Sequence, residues 1–347
     1  MSAVPAQRTE RELKHNAVIE RLPLVTLYLT ERCNSRCKTC DYWRHGRADL
    51  SLDSVQRLVP GLERLATRLV LISGGEPLLN PQWDPIAQLL SSRGMKLWLL
   101  TSGLALAKHA RRASELFEFI TVSLDGANAR TYEAIRGLDA FEHVCAGIRA
   151  AARLGGRVSV RVTLQRANFM EMPALVDLAR ELGAHQISFL AVDVANPHAF
   201  ARTDSFDHDI ALSAADLPAF ADVLRCLERD HAAAFQSGFI AESPRRLQHI
   251  LRYFTAVSGQ GPYPAVRCNA PEFSAVVSAH GRVSPCFFIV GAPDAVARDD
   301  LESTLNLDSM LDLRRSIRAG ERAECVRCVC SLWREPGELA TLHLPHA

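Results

Sequence analysis

The sequence predicts an α/β protein: an open, partial (β/α)6 TIM-like barrel of parallel strands with outer helices, followed by a small C-terminal hairpin-plus-helix unit. Three observations predict it. Short apolar runs alternate six times with segments of helical periodicity between Leu24 and Ala191, the pattern of a parallel sheet crossed by helices. The runs are continuous, as in Leu69-Val-Leu-Ile72, which suits strands covered on both faces. The alternation then stops, short of the eight units that close a full barrel.

Taken in order, residues 1–22 are charged, lack a clear apolar stripe and read as an N-terminal arm. The barrel core spans 23–195. Its strands are expected near 24–29, 69–72, 97–100, 119–124, 158–164 and 187–191. Ser51 to Ser54 offer N-cap residues for a helix carrying Val55, Leu58, Val59, Leu62 and Leu65. Further helices are expected over 83–93, 105–116, 129–135, 141–154 and 172–182. Residues 196–264 form a helical linker that can supply substrate contacts, with amphipathic helices over 217–235 and 244–257. Residues 265–332 form a cysteine-flanked hairpin, 273–278 and 283–286 turning at Gly281, with a helix over 310–317. Residues 333–347 are a tail.

Forty Lys and Arg nearly cancel 39 Asp and Glu, so no strong field favours nucleic acid or an acidic membrane. No run of about 18 apolar residues is present to span a bilayer. The polar start, 1–20, does not read as a signal peptide. Ten cysteines in 347 residues are too sparse for a secreted disulfide scaffold. A reducing cytoplasm is the expected compartment.

The cysteines cluster at the two ends of the chain. Cys33-x3-Cys37-x2-Cys40 follows the first strand. Three thiols in one short loop can hold three irons of a [4Fe–4S] cubane and leave one open. Structural zinc is the other reading of such spacing. Near the C-terminus stand Cys268, Cys286, Cys325, Cys328 and Cys330, which by spacing suit zinc or a second cluster equally. Cys145 and Cys226 fall in helical segments and read as core. In parallel α/β folds the site lies at the C-terminal strand ends. Gly74-Gly75-Glu76-Pro77, Ser102, Ser123 and Asp125 all fall there. Arg136, in Tyr-Glu-Ala-Ile-Arg-Gly, reads either as a surface arginine or as a carboxylate partner.

Cys33-x3-Cys37-x2-Cys40, placed after a first strand, resembles the signature of the radical S-adenosylmethionine (SAM) superfamily. The resemblance implies the partial barrel. It also implies a [4Fe–4S] cluster held by Cys33, Cys37 and Cys40, with SAM on the fourth iron as source of a 5′-deoxyadenosyl radical. It places Gly74, Gly75, Glu76 and Pro77 at the amino end of the SAM methionine. Ser102, Ser123, Asp125 and Arg136 are further SAM-site candidates. One position departs from the strictest pattern: the residue before the third cysteine is Thr39 rather than an aromatic, and Tyr42 and Trp43 follow Cys40 instead. The C-terminal layout resembles a twitch domain, the short form of the SPASM auxiliary-cluster domain. By that resemblance Cys268, Cys286, Cys325 and Cys328 hold one auxiliary [4Fe–4S] cluster, with Cys330 spare or replacing Cys328.

The expected function is hydrogen abstraction from a small polar molecule of sugar, cyclitol or nucleoside type in natural-product biosynthesis, as a dehydrogenase or decarboxylase. An electron donor such as flavodoxin or ferredoxin is implied. Arg161 and Arg166 are candidates for a substrate carboxylate. The molybdopterin-precursor cyclase is expected less, since its C-terminal double glycine is not matched by Leu344-Pro345-His346-Ala347. The alternatives are a maturase of ribosomal peptides and a zinc-stabilised, non-enzymatic binding protein.

Overall fold

The computed structural model describes residues 17–196, 199–202, 208–297, 300–330 and 332–335. Strands β1 (Leu24–Thr30), β2 (Leu69–Gly74), β3 (Lys96–Thr101), β4 (Phe119–Ser123), β5 (Val158–Leu164) and β6 (Gln186–Ala191) lie side by side in chain order, all parallel. Helices return the chain between them, as the alternating pattern requires. Ser51 caps the helix Leu52–Arg64, its hydroxyl accepting the Ser54 N–H at 3.1 Å. Val158, Val160, Val162 and Leu164 of β5 are fully buried in one hydrophobic cluster with Ile148, Ala151, Leu175 and Ala179 of the helices. The alternate residues of each strand therefore point to the concave face of the open barrel.

Two features go beyond or differ from the sequence reading. First, the C-terminal hairpin extends the barrel's sheet. Strand β7 (Ser274–Val277) pairs in parallel with β1, and β8 (Val283–Ser284) pairs antiparallel with β7, so one sheet of eight strands runs β6-β5-β4-β3-β2-β1-β7-β8. The first strand had an unpaired edge, and β7 satisfies its backbone groups. Second, the helix expected over 217–235 breaks at His231 into Leu217–Asp230 and Ala232–Gln236. The helix Pro244–Val257 lies where periodicity placed it. Of the arm, Ala17 and Ile19 are pinned to the C-terminal part: the Ile19 N–H donates to Asn306 Oδ1 (2.8 Å) and Arg314 donates to the Ala17 carbonyl (2.7 Å). Residues 1–16 and 336–347 lie outside the described residues. Among the described residues, no helix is long and apolar enough to cross a membrane.

Candidate cofactor and metal site

The first cysteine loop leaves β1 after Thr30 and is held from three directions. From β2, the Gly75 N–H donates to the Thr30 carbonyl (2.7 Å) and the Glu76 N–H to the Arg32 carbonyl (2.8 Å). This explains the paired glycines. A Cβ on Gly74 would stand 2.4 Å from the Thr30 oxygen, and one on Gly75 only 2.2 Å from the Arg32 oxygen. From the helix Ala129–Arg136, the carbonyls of Ile135 and Arg136 accept the N–H groups of Lys38 (3.2 Å) and Arg36 (3.0 Å). From the segment after β6, Arg202 donates to the Thr39 carbonyl, and the Asp41 N–H donates to the Phe200 carbonyl (3.0 Å).

Glu76 is fully buried, and four donors converge on it. Oε1 accepts from Thr101 Oγ1 (2.7 Å) and the Leu78 N–H (3.2 Å). Oε2 accepts from the Ser102 N–H (2.7 Å) and hydroxyl (2.6 Å). Burial pushes this carboxyl above the usual range, while the Ser102 and Thr101 donors pull it back. Glu76 thus locks the β2 rim to the β3 rim. Pro77 opens the short turn Pro77–Leu79 beside it.

Asp125 plays the same part between β4 and β5. Its Oδ1 accepts the Thr163 N–H (2.6 Å). Its Oδ2 lies 2.7 Å from Arg136 Nε, an ion pair set off the hydrogen-bond axis. Burial raises the Asp125 carboxyl, against the opposing charge of Arg136. Arg136 Nη1 in turn donates to Cys37 Sγ at 3.4 Å. Arg136 is therefore neither a surface arginine nor an open carboxylate clamp; it ties the β4 rim to the cysteine loop. Ser123 stands on β4 opposite Arg161 of β5.

Cys37 is buried, and Cys33 and Cys40 are partly so. Burial, with the nearby Cys37, pushes the Cys33 thiol up to about 11 and the Cys40 thiol up to about 12. Thiols so disfavoured as free anions fit a site in which metal cations balance them. Among the described residues no three His, Cys, Asp or Glu side chains are grouped as ligands of a single ion. Thiolates of a cubane bind separate irons and need no such convergence.

The second group is gathered by the fold. Cys268, Cys286, Cys325, Cys328 and Cys330, drawn from three loops, all line one cavity of about 80 Å³ on the concave face, beside Leu24 and Thr26 of β1 and Ser274 and Val276 of β7. Cys325 lies in a short helix, Ala323–Val326, that sequence reading missed. Burial raises the Cys286 thiol to about 12 and lifts Cys325, Cys328 and Cys330 as well. Cys145 is buried in the helix Phe141–Arg153, and Cys226 is partly buried in Leu217–Asp230.

A single aromatic layer separates the two cysteine groups. The Tyr28 ring of β1 stacks on Phe287 (centroids 6.4 Å, 30°) and meets Tyr42 edge-on (6.0 Å, 87°). Phe287 follows Cys286, and Tyr42 lies two residues after Cys40. The segment after β6 spans the same gap: Asn196 donates to the Phe288 carbonyl (2.6 Å), while Arg202 holds Thr39. Tyr28, Asn196 and Arg202 carry no motif and were not singled out from the sequence. Trp43 is partly buried, with the Arg44 guanidinium 4.7 Å above its ring.

An open parallel barrel with a three-cysteine loop at the end of its first strand is the architecture of the radical SAM enzymes. Residues 27–179 match the Radical SAM superfamily, which identifies a radical SAM domain over the barrel. Its cofactors are accordingly a [4Fe–4S] cluster and SAM. Among curated relatives, the pre-heme d1 synthase of Dinoroseobacter shibae is 30% identical over 202 residues, covering 56% of this chain and 50% of that protein. A probable GTP 3′,8-cyclase of Methanococcus maripaludis is 28% identical over 204 residues, 54% of this chain and 66% of its own. The chain spans about half the length of the first curated relatives it matches. Among solved structures, Streptococcus suis SuiB bound to its precursor peptide SuiA superposes with a TM-score of 0.68 at 14% identity, covering 92% of this chain and 73% of that one. That likeness is one of fold.

Proposed function

We propose that this radical SAM enzyme carries a second [4Fe–4S] cluster on four of its five C-terminal cysteines and acts on a small polar molecule, either oxidising it as a dehydrogenase or removing its carboxyl group as a decarboxylase. The observation that carries the reading is the single cavity lined by all five thiols, one aromatic layer from the first cysteine loop. When bound, the first cluster and SAM supply a 5′-deoxyadenosyl radical, and a fully thiolate-ligated second cluster supplies a one-electron acceptor without an open iron. The chain's own residues do the rest. Cys33, Cys37 and Cys40 hold the first cluster, and Arg136 donates to the Cys37 sulfur. Gly74, Gly75 and the backbone of Glu76 and Pro77 form the edge against which the methionine end of SAM rests. Ser102 and Ser123 offer hydroxyls at the same rim, while the side chains of Glu76 and Asp125 hold that rim in shape. Tyr28 and Phe287 wall the space between the two groups.

A small-molecule substrate is supported by the curated relatives, which are named for heme, pre-heme d1 and GTP chemistry. A low-potential donor of flavodoxin or ferredoxin type fits the need to reduce the first cluster. The test is iron and sulfide per chain after anaerobic reconstitution, with SAM cleavage under dithionite. About eight irons are expected, falling to about four in a Cys33/Cys37/Cys40→Ala variant that no longer cleaves SAM. Four irons falling to none would leave the C-terminal cysteines without a cluster and point to a redox-neutral reaction. Zinc with no iron and no SAM cleavage would point to a non-enzymatic protein.

A further inference from the structure

The concave face carries two polar groups that the rim and the cysteine sites do not use. Arg161 of β5 and Ser188 of β6 are register partners, and Ser123 of β4 is the partner of Arg161 on the other side. The three stand in one row across the concave face. Arg161 Nε and Ser188 Oγ are both sealed from solvent, and neither has a hydrogen-bond partner. Ser188 is 1% exposed. The Arg161 side chain forms no hydrogen bond or ion pair among the described residues, while its backbone carbonyl accepts the Leu124 N–H at 3.0 Å. Arg166, the other arginine marked in the sequence, pairs with Asp216 at 3.2 Å and is 43% exposed, so it is spoken for at the surface.

Buried donors in folded proteins almost always have acceptors. A row of such donors on the inner wall of a ligand-binding face lacks its acceptor until a ligand supplies one. The guanidinium presents two parallel N–H groups that match a planar carboxylate, and the Ser188 hydroxyl adds a third donor. Glu242 lies nearby: it feels the Arg161 charge, and its Oε2 accepts the Phe189 N–H at 2.8 Å. Resting on the small-substrate reading above, we propose that Arg161 and Ser188 bind a carboxylate of the substrate and set it on the concave face beside Ser123.

The test uses the reconstituted, SAM-bound protein, with malonate and inorganic phosphate as probes in anaerobic thermal unfolding. Malonate is expected to raise the midpoint saturably. Its apparent affinity should fall about tenfold or more in Arg161→Met, by the loss of a bidentate pair, and measurably in Ser188→Ala. Phosphate should bind more weakly than malonate. Iron content and both cluster potentials should match wild type in each variant. Equal malonate shifts in wild type and both variants would overturn the proposal, and tighter binding of phosphate would overturn the carboxylate assignment. So would loss of about four irons, or a shifted second-cluster potential, in Arg161→Met. The Arg161 charge also reaches Cys330, and that result would assign the arginine to the cluster. Should Arg161→Met fail to fold, Ser188→Ala decides alone. Four irons in wild type with an intact malonate site would sink the two-cluster reading and leave this one standing.

Discussion

Arg136 and Asp125 form a buried ion pair, Nε to Oδ2 at 2.7 Å, and the far side of the same guanidinium donates to Cys37 Sγ at 3.4 Å. One side chain therefore couples the end of β4 to the sulfur of Cys37, which we propose as a cluster ligand. Removing one partner of a buried pair strands the other charge and costs about 3–5 kcal/mol. Arg136→Met should lower the denaturation midpoint by that order and release the first cluster's iron more readily to a chelator. Unchanged stability and iron retention would show that Cys37 and Asp125 do not depend on it.

Glu76 accepts four hydrogen bonds, two of them from backbone N–H groups that can only donate. In Glu76→Gln the new amide NH2 must face one of these N–H groups, while the neighbouring hydroxyl can turn to accept from it. The expected loss is about 1–3 kcal/mol per unmatched group, with weaker SAM binding because the β2 and β3 rims separate. Equilibrium urea unfolding and SAM titration read the two effects independently.

Glycine substitutions separate loop docking from general backbone strain. Gly75→Ala places a methyl 2.2 Å from the Arg32 carbonyl oxygen and must displace the cysteine loop. Gly94 has φ +76 with nothing within 4 Å of a built Cβ, so Gly94→Ala costs only about 1 kcal/mol of left-handed strain. Gly75→Ala should reconstitute with about four fewer irons, whereas Gly94→Ala should reconstitute fully.

Burial pushes the Glu242 carboxyl up to about 7. Between its ordinary value and that point the folded chain holds a proton that the unfolded chain has released. Raising the pH through this window therefore favours unfolding, by up to about 3 kcal/mol in all. Glu242→Gln removes the titration. The stability difference between variant and wild type should grow in the variant's favour from pH 5 to pH 8. A difference independent of pH would mean that Glu242 is ionised throughout.

The sequence by itself determined the sheet and the first cysteine loop. Continuous apolar runs such as Val158–Leu164 can be strands only where helices cover them, and three cysteines within eight residues must share a site wherever the loop goes. Both are local facts of periodicity and spacing. Tertiary structure alone decided the rest. Glu76 and Asp125 carry motifs in the sequence, but only the arrangement of rims shows their carboxylates occupied by Thr101, Ser102, Thr163 and Arg136. The five late cysteines come from three loops, and β7 joining the edge of β1 is what turns them toward one cavity. Arg161 and Arg166 look alike in the sequence, five residues apart. The pleat of β5 points the first into the concave face with its Nε unpartnered, while the second, past the end of the strand, meets Asp216 at the surface. Contacts between residues distant in the chain depend on which edges and faces meet, and no local pattern records that.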